Sequence, residues 1–191
     1  MLCSLQELGL ENKYLTENDI NGIHELDEFA IVGEDPIKYL ELDDVIIDLE
    51  LTANRADLLS TLGLAYEVSA ITDREVDEPK VEYKEIKENV KDEIDLKVDT
   101  DNVYTFLVKK AKDIVIKESP TFIKNRLMAC GIRPINNVVD ISNYVMLETG
   151  QPLHFYDADI LGKTISPRMA ENGEIVVTLD NTERILTSED I

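Results

Sequence analysis

With 191 residues the chain can build one domain or two small ones, and its 43% hydrophobic content supplies a core that must be mostly Leu, Ile and Val, because aromatics reach only 6% and Trp is absent. A formal charge of −21, from 40 acidic against 19 basic residues, repels phosphate backbones, so the surface as a whole is a poor nucleic-acid binder and RNA can engage only a local pocket. Cys3 and Cys130 have no C-x-x-C spacing and His24 and His154 are the only histidines, which argues against a disulfide scaffold or a structural metal site and suits a reducing cytosol.

In chain order, Ser4 and Glu7 have capping-box spacing, and Gly9 can end the short helical turn that follows. Residues 11–40 read as loops with brief elements. Val45 to Leu51 reads as a strand, with Ile47, Leu49 and Leu51 alternating with Asp48 and Glu50. A turn over 52–56 follows, and Asp57 can cap a helix of about residues 58–71 carrying Leu58, Leu62, Ala65 and Ser69 along one stripe. From Asp73 to Asp95, 15 of 23 residues are charged, and this stretch is read as a solvated boundary.

A second unit opens with strand-like runs at 94–98, 103–108 and 112–116. A helix follows, with Ser119 as N-cap, Pro120 at its first position and Gly131 just past its end; Phe122, Ile123 and Leu127 are expected to face inward. The next helix starts at a capping Asn137 and stops at Gly150, with Pro152 beyond. It is apolar on nearly every side, so burial is expected, yet Ser142 and Asn143 sit among its apolar residues and need partners. The loop 151–157 carries His154. Ile175–Leu179 and Arg184–Leu186 read as a hairpin about a turn at 180–182. No apolar run reaches the ~20 residues that span a membrane, and the start lacks a signal peptide's basic and apolar regions. The last residues open a new segment, which predicts a piece of something longer.

These residues define an α+β fold of two small units with antiparallel sheets and packed helices: 1–72, a charged linker 73–94, and 95–191. His154 is the ionisable candidate for placing a water or ligand, against a plain role in packing or capping the helix end. Ser142 and Asn143 are candidate pocket residues, against simple hydrogen bonding to nearby backbone. Arg55 reads as a local partner for carboxylates, and Cys130 as a small buried hydrophobe. No Walker, dinucleotide or metal-ligand pattern is present.

The run from Gly131 through Arg133, Pro134, Asn136, Asn137, Asp140, Ser142, Asn143 and Tyr144 to Glu148, continuing through Gly150, Gln151, Pro152 and Leu153 to His154, resembles the B3/B4 region of the β subunits of bacterial phenylalanyl-tRNA synthetases. Met1 to Leu10 is similar to the segment after that family's inserted tRNA-binding OB domain. Asp43–Asp57 with Gly63–Ala70 resembles its T-P-N-R-x-D … G-x-A-x-E segment in domain B1, and Thr178-Leu179-Asp180 with Glu183-Arg184 resembles its T-L-D-G-x-x-R hairpin. Ala53 stands where Pro is usual, Asn181 where Gly is usual, and Ser142 where Thr is common, keeping the hydroxyl.

The resemblance implies that 1–72 is part of domain B1 and 95–191 the first part of the B3/B4 editing domain. In the family this region hydrolyses tyrosine mis-attached to phenylalanine tRNA, and the acidic residue that meets the tyrosine hydroxyl lies beyond Ile191. By resemblance, His154 serves catalysis by positioning the tRNA terminus or water, and Ser142 and Asn143 hydrogen-bond the substrate; no protein nucleophile is implied. The implied partners are the acceptor end of tRNA(Phe) and the synthetase α subunit. ATP and Mg²⁺ serve the full synthetase, no cofactor or metal site is expected in these residues, and the location implied is cytoplasmic. The competing reading is a non-catalytic scaffold module of the same synthetase. Residues 1–191 alone are expected to show little or no editing.

Overall fold

Local hydrogen bonds set where each element begins. The computed structural model describes residues 3–11, 14–15, 20–26, 30–178 and 182–191. It divides into two units, Met1–Lys80 with Val115–Phe155, and Val81–Ile114 with Tyr156–Ile191. This interleaved division differs from the linear one drawn from the charged stretch. Side-chain bonds explain it, since Asn125 donates to the Leu40 carbonyl at 2.7 Å and Thr61 to that of Leu147 at 3.3 Å. Residues 115–155 thus fold with the N-terminal segment.

In the first unit the capping box forms: the Ser4 amide donates to Glu7 at 2.9 Å and the Glu7 amide to the Ser4 hydroxyl at 3.3 Å. Gly9 follows at φ +100. Helix α1 (Pro36–Tyr39) is capped by Asp35. The expected strand over 45–51 is absent, and those residues hold no regular structure. A strand needs a neighbour to satisfy its backbone, and among the described residues none is supplied.

Helix α2 (Thr61–Thr72) is capped by Ser60, whose hydroxyl accepts from Gly63 at 3.0 Å. Asp57 lies in a preceding 3₁₀ turn, Ala56–Leu58, and does not cap; Arg55 engages it instead. Gly63 is obligatory, because a Cβ there would lie 1.8 Å from the Asp57 carbonyl oxygen.

Helix α3 (Thr121–Ala129) has Pro120 as N-cap, one residue later than expected, because the Ser119 hydroxyl is committed to Asp140. Gly131, at φ +82, follows the helix end as predicted. Ile123 and Leu127 are buried; Phe122 is not, and meets Tyr144 edge-on with ring centroids 6.4 Å apart. Cys130 is exposed, contrary to the buried role expected, since it lies past the buried stripe of α3.

Helix α4 (Asn137–Thr149) is capped by Asn136, whose side chain accepts from the amides of Val138 and Val139, both at 3.1 Å. Asn137 instead bridges outward, accepting from the Lys117 amide at 3.1 Å and donating to the Val115 carbonyl at 3.0 Å. Helix α4 is half-buried rather than buried all round, and its one fully buried residue is Asp140. Among the described residues of this unit, the buried apolar ones are Leu15, Leu58, Ile123 and Leu127.

The second unit is mainly β. Strand β1 (Asp95–Leu96) pairs with β2 (Thr164–Ile165) in parallel, with Asp95 opposite Thr164 and Leu96 opposite Ile165. Short helix α5 (Ala158–Leu161), capped by Asp157, precedes β2. Strands β3 (Ile175–Val177) and β4 (Glu183–Ile185) pair antiparallel, with Val176 opposite Arg184. The architecture is α+β. The β1–β2 pairing corrects the expectation of antiparallel sheets throughout: the segment between those strands is a long excursion that includes residues of the first unit, and such a connection permits parallel pairing. The runs 103–108 and 112–116 are not strands, and the hairpin turn at 180–181 lies outside the described residues.

Candidate functional site

Helix α4 and the loop behind it carry the candidate residues. Its N-terminal end is fixed by Asp140, 1% exposed, which accepts the Ser119 hydroxyl at 2.5 Å and the Ile135 amide at 2.8 Å. A carboxylate taken out of water must find donors, and these two join α4 to the segments on either side of α3. Sequence reading missed this role; the signal available was an acid in an otherwise apolar helix.

At the other end Gly150 adopts φ +79 and its amide bonds the Met146 carbonyl at 2.8 Å, a left-handed cap that turns the chain into the His154 loop. A Cβ on Gly150 would lie 3.4 Å from that of Ser60, so this turn packs against the start of α2. In the loop, the Gln151 amide donates to the Thr149 hydroxyl at 3.2 Å and the Gln151 side chain to the Pro152 carbonyl at 3.1 Å.

Between those ends, Ser142 is half-buried and donates its hydroxyl proton to the Val139 carbonyl at 2.6 Å. Its oxygen keeps lone pairs, so toward a ligand it acts as an acceptor. Asn143 is half-buried and, one residue on, projects about 100° around the helix from Ser142. His154 is exposed, four residues beyond the Gly150 cap. The three residues do not line either of the two cavities described next.

In the first unit a groove of about 720 Å³ lies beside α3, lined by Leu42, Asp44, Ile46, Phe122, Arg126 and others. In the second unit a cavity of about 300 Å³ is lined by Phe106, Tyr156, Arg168, Glu174 and Leu186 among others.

Three ion-pair clusters among the described residues shape the electrostatics. In the first unit Arg55 forks onto Asp57, at 3.1 and 2.9 Å, and reaches Glu67 at 2.7 Å, the local pairing expected of it. Hydrogen bonds from Arg55 hold both carboxyls below their usual range. In the second unit Arg168 grips Glu174 at 2.6 and 3.0 Å, and with the Glu171 amide it holds the Glu174 carboxyl down at about 2. Glu93, paired with Lys110 and with Lys112 at 3.2 Å, is likewise lowered. Among the described residues no group of three or more His, Cys, Asp or Glu side chains is placed to hold a metal ion. Among the described residues no helix is long and apolar enough to cross a membrane.

Comparison with known proteins places this geometry in context. Residues 102–191 match the family described as B3/4 domain, a span that contains α3, α4 and the His154 loop. The chain is 45% identical over 192 residues to the phenylalanine–tRNA ligase beta subunit of Streptococcus agalactiae, covering all of this chain and 24% of that protein. It is 42% identical to the corresponding subunit of Staphylococcus aureus over 193 residues and 45% identical to that of Oceanobacillus iheyensis over 195, with the same coverage. The chain thus spans about a quarter of the length of these curated relatives.

Proposed function

We propose that the chain is part of the β subunit of a phenylalanine–tRNA ligase and contributes to hydrolytic editing of tyrosine mis-attached to tRNA(Phe), a reading supported by the match of residues 102–191 to the B3/4 domain family. The observation that carries this reading is the similarity of the entire chain, at 45% identity, to one quarter of such subunits. In this reading the subunit works with an α subunit and tRNA(Phe) in the cytoplasm. ATP and Mg²⁺ serve aminoacylation elsewhere in the synthetase.

The chemical need is physical. An activation site cannot strongly reject an isostere that merely adds a hydroxyl, so a second site must remove the error. There, water adds to the ester carbonyl, the bond to the ribose oxygen breaks, and free tyrosine leaves with the tRNA hydroxyl restored. The site must place that water and support the oxyanion. Ser142, its proton engaged by Val139, is suited to accept a hydrogen bond from the substrate ammonium. Asn143 offers both donor and acceptor. His154, exposed in the loop past Gly150, holds the tRNA terminus or the water.

The test is deacylation of tyrosyl-tRNA(Phe) by the whole synthetase and by residues 1–191 alone. The whole enzyme hydrolyses the ester, and the 191-residue chain shows little or no turnover because the pocket draws on further residues. Hydrolysis by neither would refute the reading.

A further inference from the structure

The last turn of α4 leaves carbonyls that its own backbone does not satisfy. The amide that would bond the Leu147 carbonyl one turn on belongs to Gln151, and it donates instead to the Thr149 hydroxyl at 3.2 Å. The hydroxyl of Thr61, the first residue of α2, takes its place and donates to the Leu147 carbonyl at 3.3 Å. Beside it, the Ser60 β-carbon lies 3.4 Å from where a Cβ on Gly150 would stand. Two consecutive residues at the start of α2 thus bear on the last turn and the left-handed cap of α4. Three residues lead from Gly150 to His154, and they are stiff. Pro152 fixes its own φ and restricts Gln151 before it, and the Gln151 side chain donates to the Pro152 carbonyl at 3.1 Å.

The start of α2 is itself held from behind. Ser60 caps it by accepting from the Gly63 amide at 3.0 Å. Gly63 has no room for a Cβ against the Asp57 carbonyl, so α2 sits directly on the 3₁₀ turn Ala56–Leu58. Arg55 spans the same junction, bonding Asp57 at 2.9 Å and Glu67, in the second turn of α2, at 2.7 Å. A planar fork on two carboxylates fixes orientation as well as distance.

We propose that Arg55, Asp57, Gly63 and Glu67 form a platform that seats the His154 loop, with Thr61 as a positioning residue for hydrolysis that acts through the Leu147 carbonyl. The inference rests on the editing reading and gives Thr61 no contact with substrate. Without the Thr61 hydroxyl the Leu147 carbonyl turns to water, the last turn of α4 frays, and His154 samples a wider range of positions. A group that must hold a tRNA terminus or a water loses rate when it is displaced by about 1 Å.

The test pairs Thr61→Val, which removes the hydroxyl at nearly constant shape, with Thr61→Ser, which keeps it. In the 191-residue chain, NMR of the imidazoles reads His154 directly, and His24, the other histidine, is the internal control. Thr61→Val moves or broadens the His154 signals and leaves those of His24 in place, whereas Thr61→Ser leaves both. Arg55→Lys keeps the charge, loses the fork and also moves His154. In the whole synthetase, Thr61→Val lowers kcat for tyrosyl-tRNA(Phe) deacylation about fivefold, the equivalent of one hydrogen bond, with KM and phenylalanine attachment little changed, and Thr61→Ser restores it. His154 signals unmoved by Thr61→Val or by Arg55→Lys overturn the proposal, as do moved signals with deacylation at the unaltered rate. An unaltered synthetase that does not hydrolyse tyrosyl-tRNA(Phe) defeats the editing reading and with it the role in hydrolysis, while movement of the His154 signals alone still upholds the seat.

Discussion

Ser119 and Asp140 share a 2.5 Å hydrogen bond out of contact with water, at 5% and 1% exposure. One residue precedes α3 and the other lies in the first turn of α4, so this bond, with that from the Ile135 amide at 2.8 Å, fixes the start of the helix bearing Ser142 and Asn143. Asp140→Ala orphans the buried Ser119 hydroxyl and the part-buried Ile135 amide and is expected to cost about 3 kcal/mol, and Ser119→Ala about 2 kcal/mol. In a double-mutant cycle by chemical denaturation the two are non-additive by about 1 kcal/mol or more. Additive losses would mean that the bond does not join the two helices.

Gly63 is fixed by contact rather than by conformation. Gly63→Ala drives a methyl into the Asp57 carbonyl, 1.8 Å away, and is expected to cost at least about 2 kcal/mol. Gly9 is the control: at φ +100 and with nothing within 4 Å, Gly9→Ala costs about 1 kcal/mol through the backbone alone. Equal effects in thermal melts would contradict the crowding at Gly63.

The Arg168–Glu174 pair predicts a pH signature. The Glu174 carboxyl is depressed in the folded state, so its contribution to stability is present above the ordinary carboxylate value of 4.5 and is lost as pH falls toward about 2. Arg168→Met removes the main cause, and NMR titration should then show Glu174 moving up toward its ordinary value. An unchanged midpoint would assign the depression to the Glu171 amide instead.

Ser142 tests whether a hydroxyl or only a small side chain is needed. Ser142→Thr preserves an oxygen that can bond the Val139 carbonyl and accept from a substrate, so deacylation by the whole synthetase is retained. Ser142→Ala loses that acceptor and lowers the rate by about tenfold, the equivalent of one hydrogen bond of about 1.4 kcal/mol. Equal rates for Thr and Ala would remove Ser142 from the site.

Local rules carried much of the fold. The Ser4–Glu7 box, the Gly131 and Gly150 stops and the β3–β4 hairpin follow from spacing and turn chemistry within a few residues. Arg55 found its carboxylates because acids lie close in sequence and along α2. What depended on distant partners was not legible. Ser119 reads as a cap until a buried Asp140 claims its hydroxyl. Asp95–Leu96 and Thr164–Ile165 are too short to announce a parallel ladder. Residues 45–51 have a strand's pattern without a strand's neighbour among the described residues. Alternation reports the faces of a segment, whereas pairing depends on residues far along the chain.

The central claim is that α4 and the loop behind it serve removal of tyrosine from tRNA(Phe). Single-turnover deacylation of tyrosyl-tRNA(Phe) by the whole synthetase carrying Ser142→Ala and His154→Ala tests it most directly. The account predicts a deacylation rate at least about 100-fold below that of the unaltered enzyme, with phenylalanine attachment intact and tyrosyl-tRNA accumulating. Deacylation at the unaltered rate, with phenylalanylation equally intact, would contradict it and leave this stretch a scaffold.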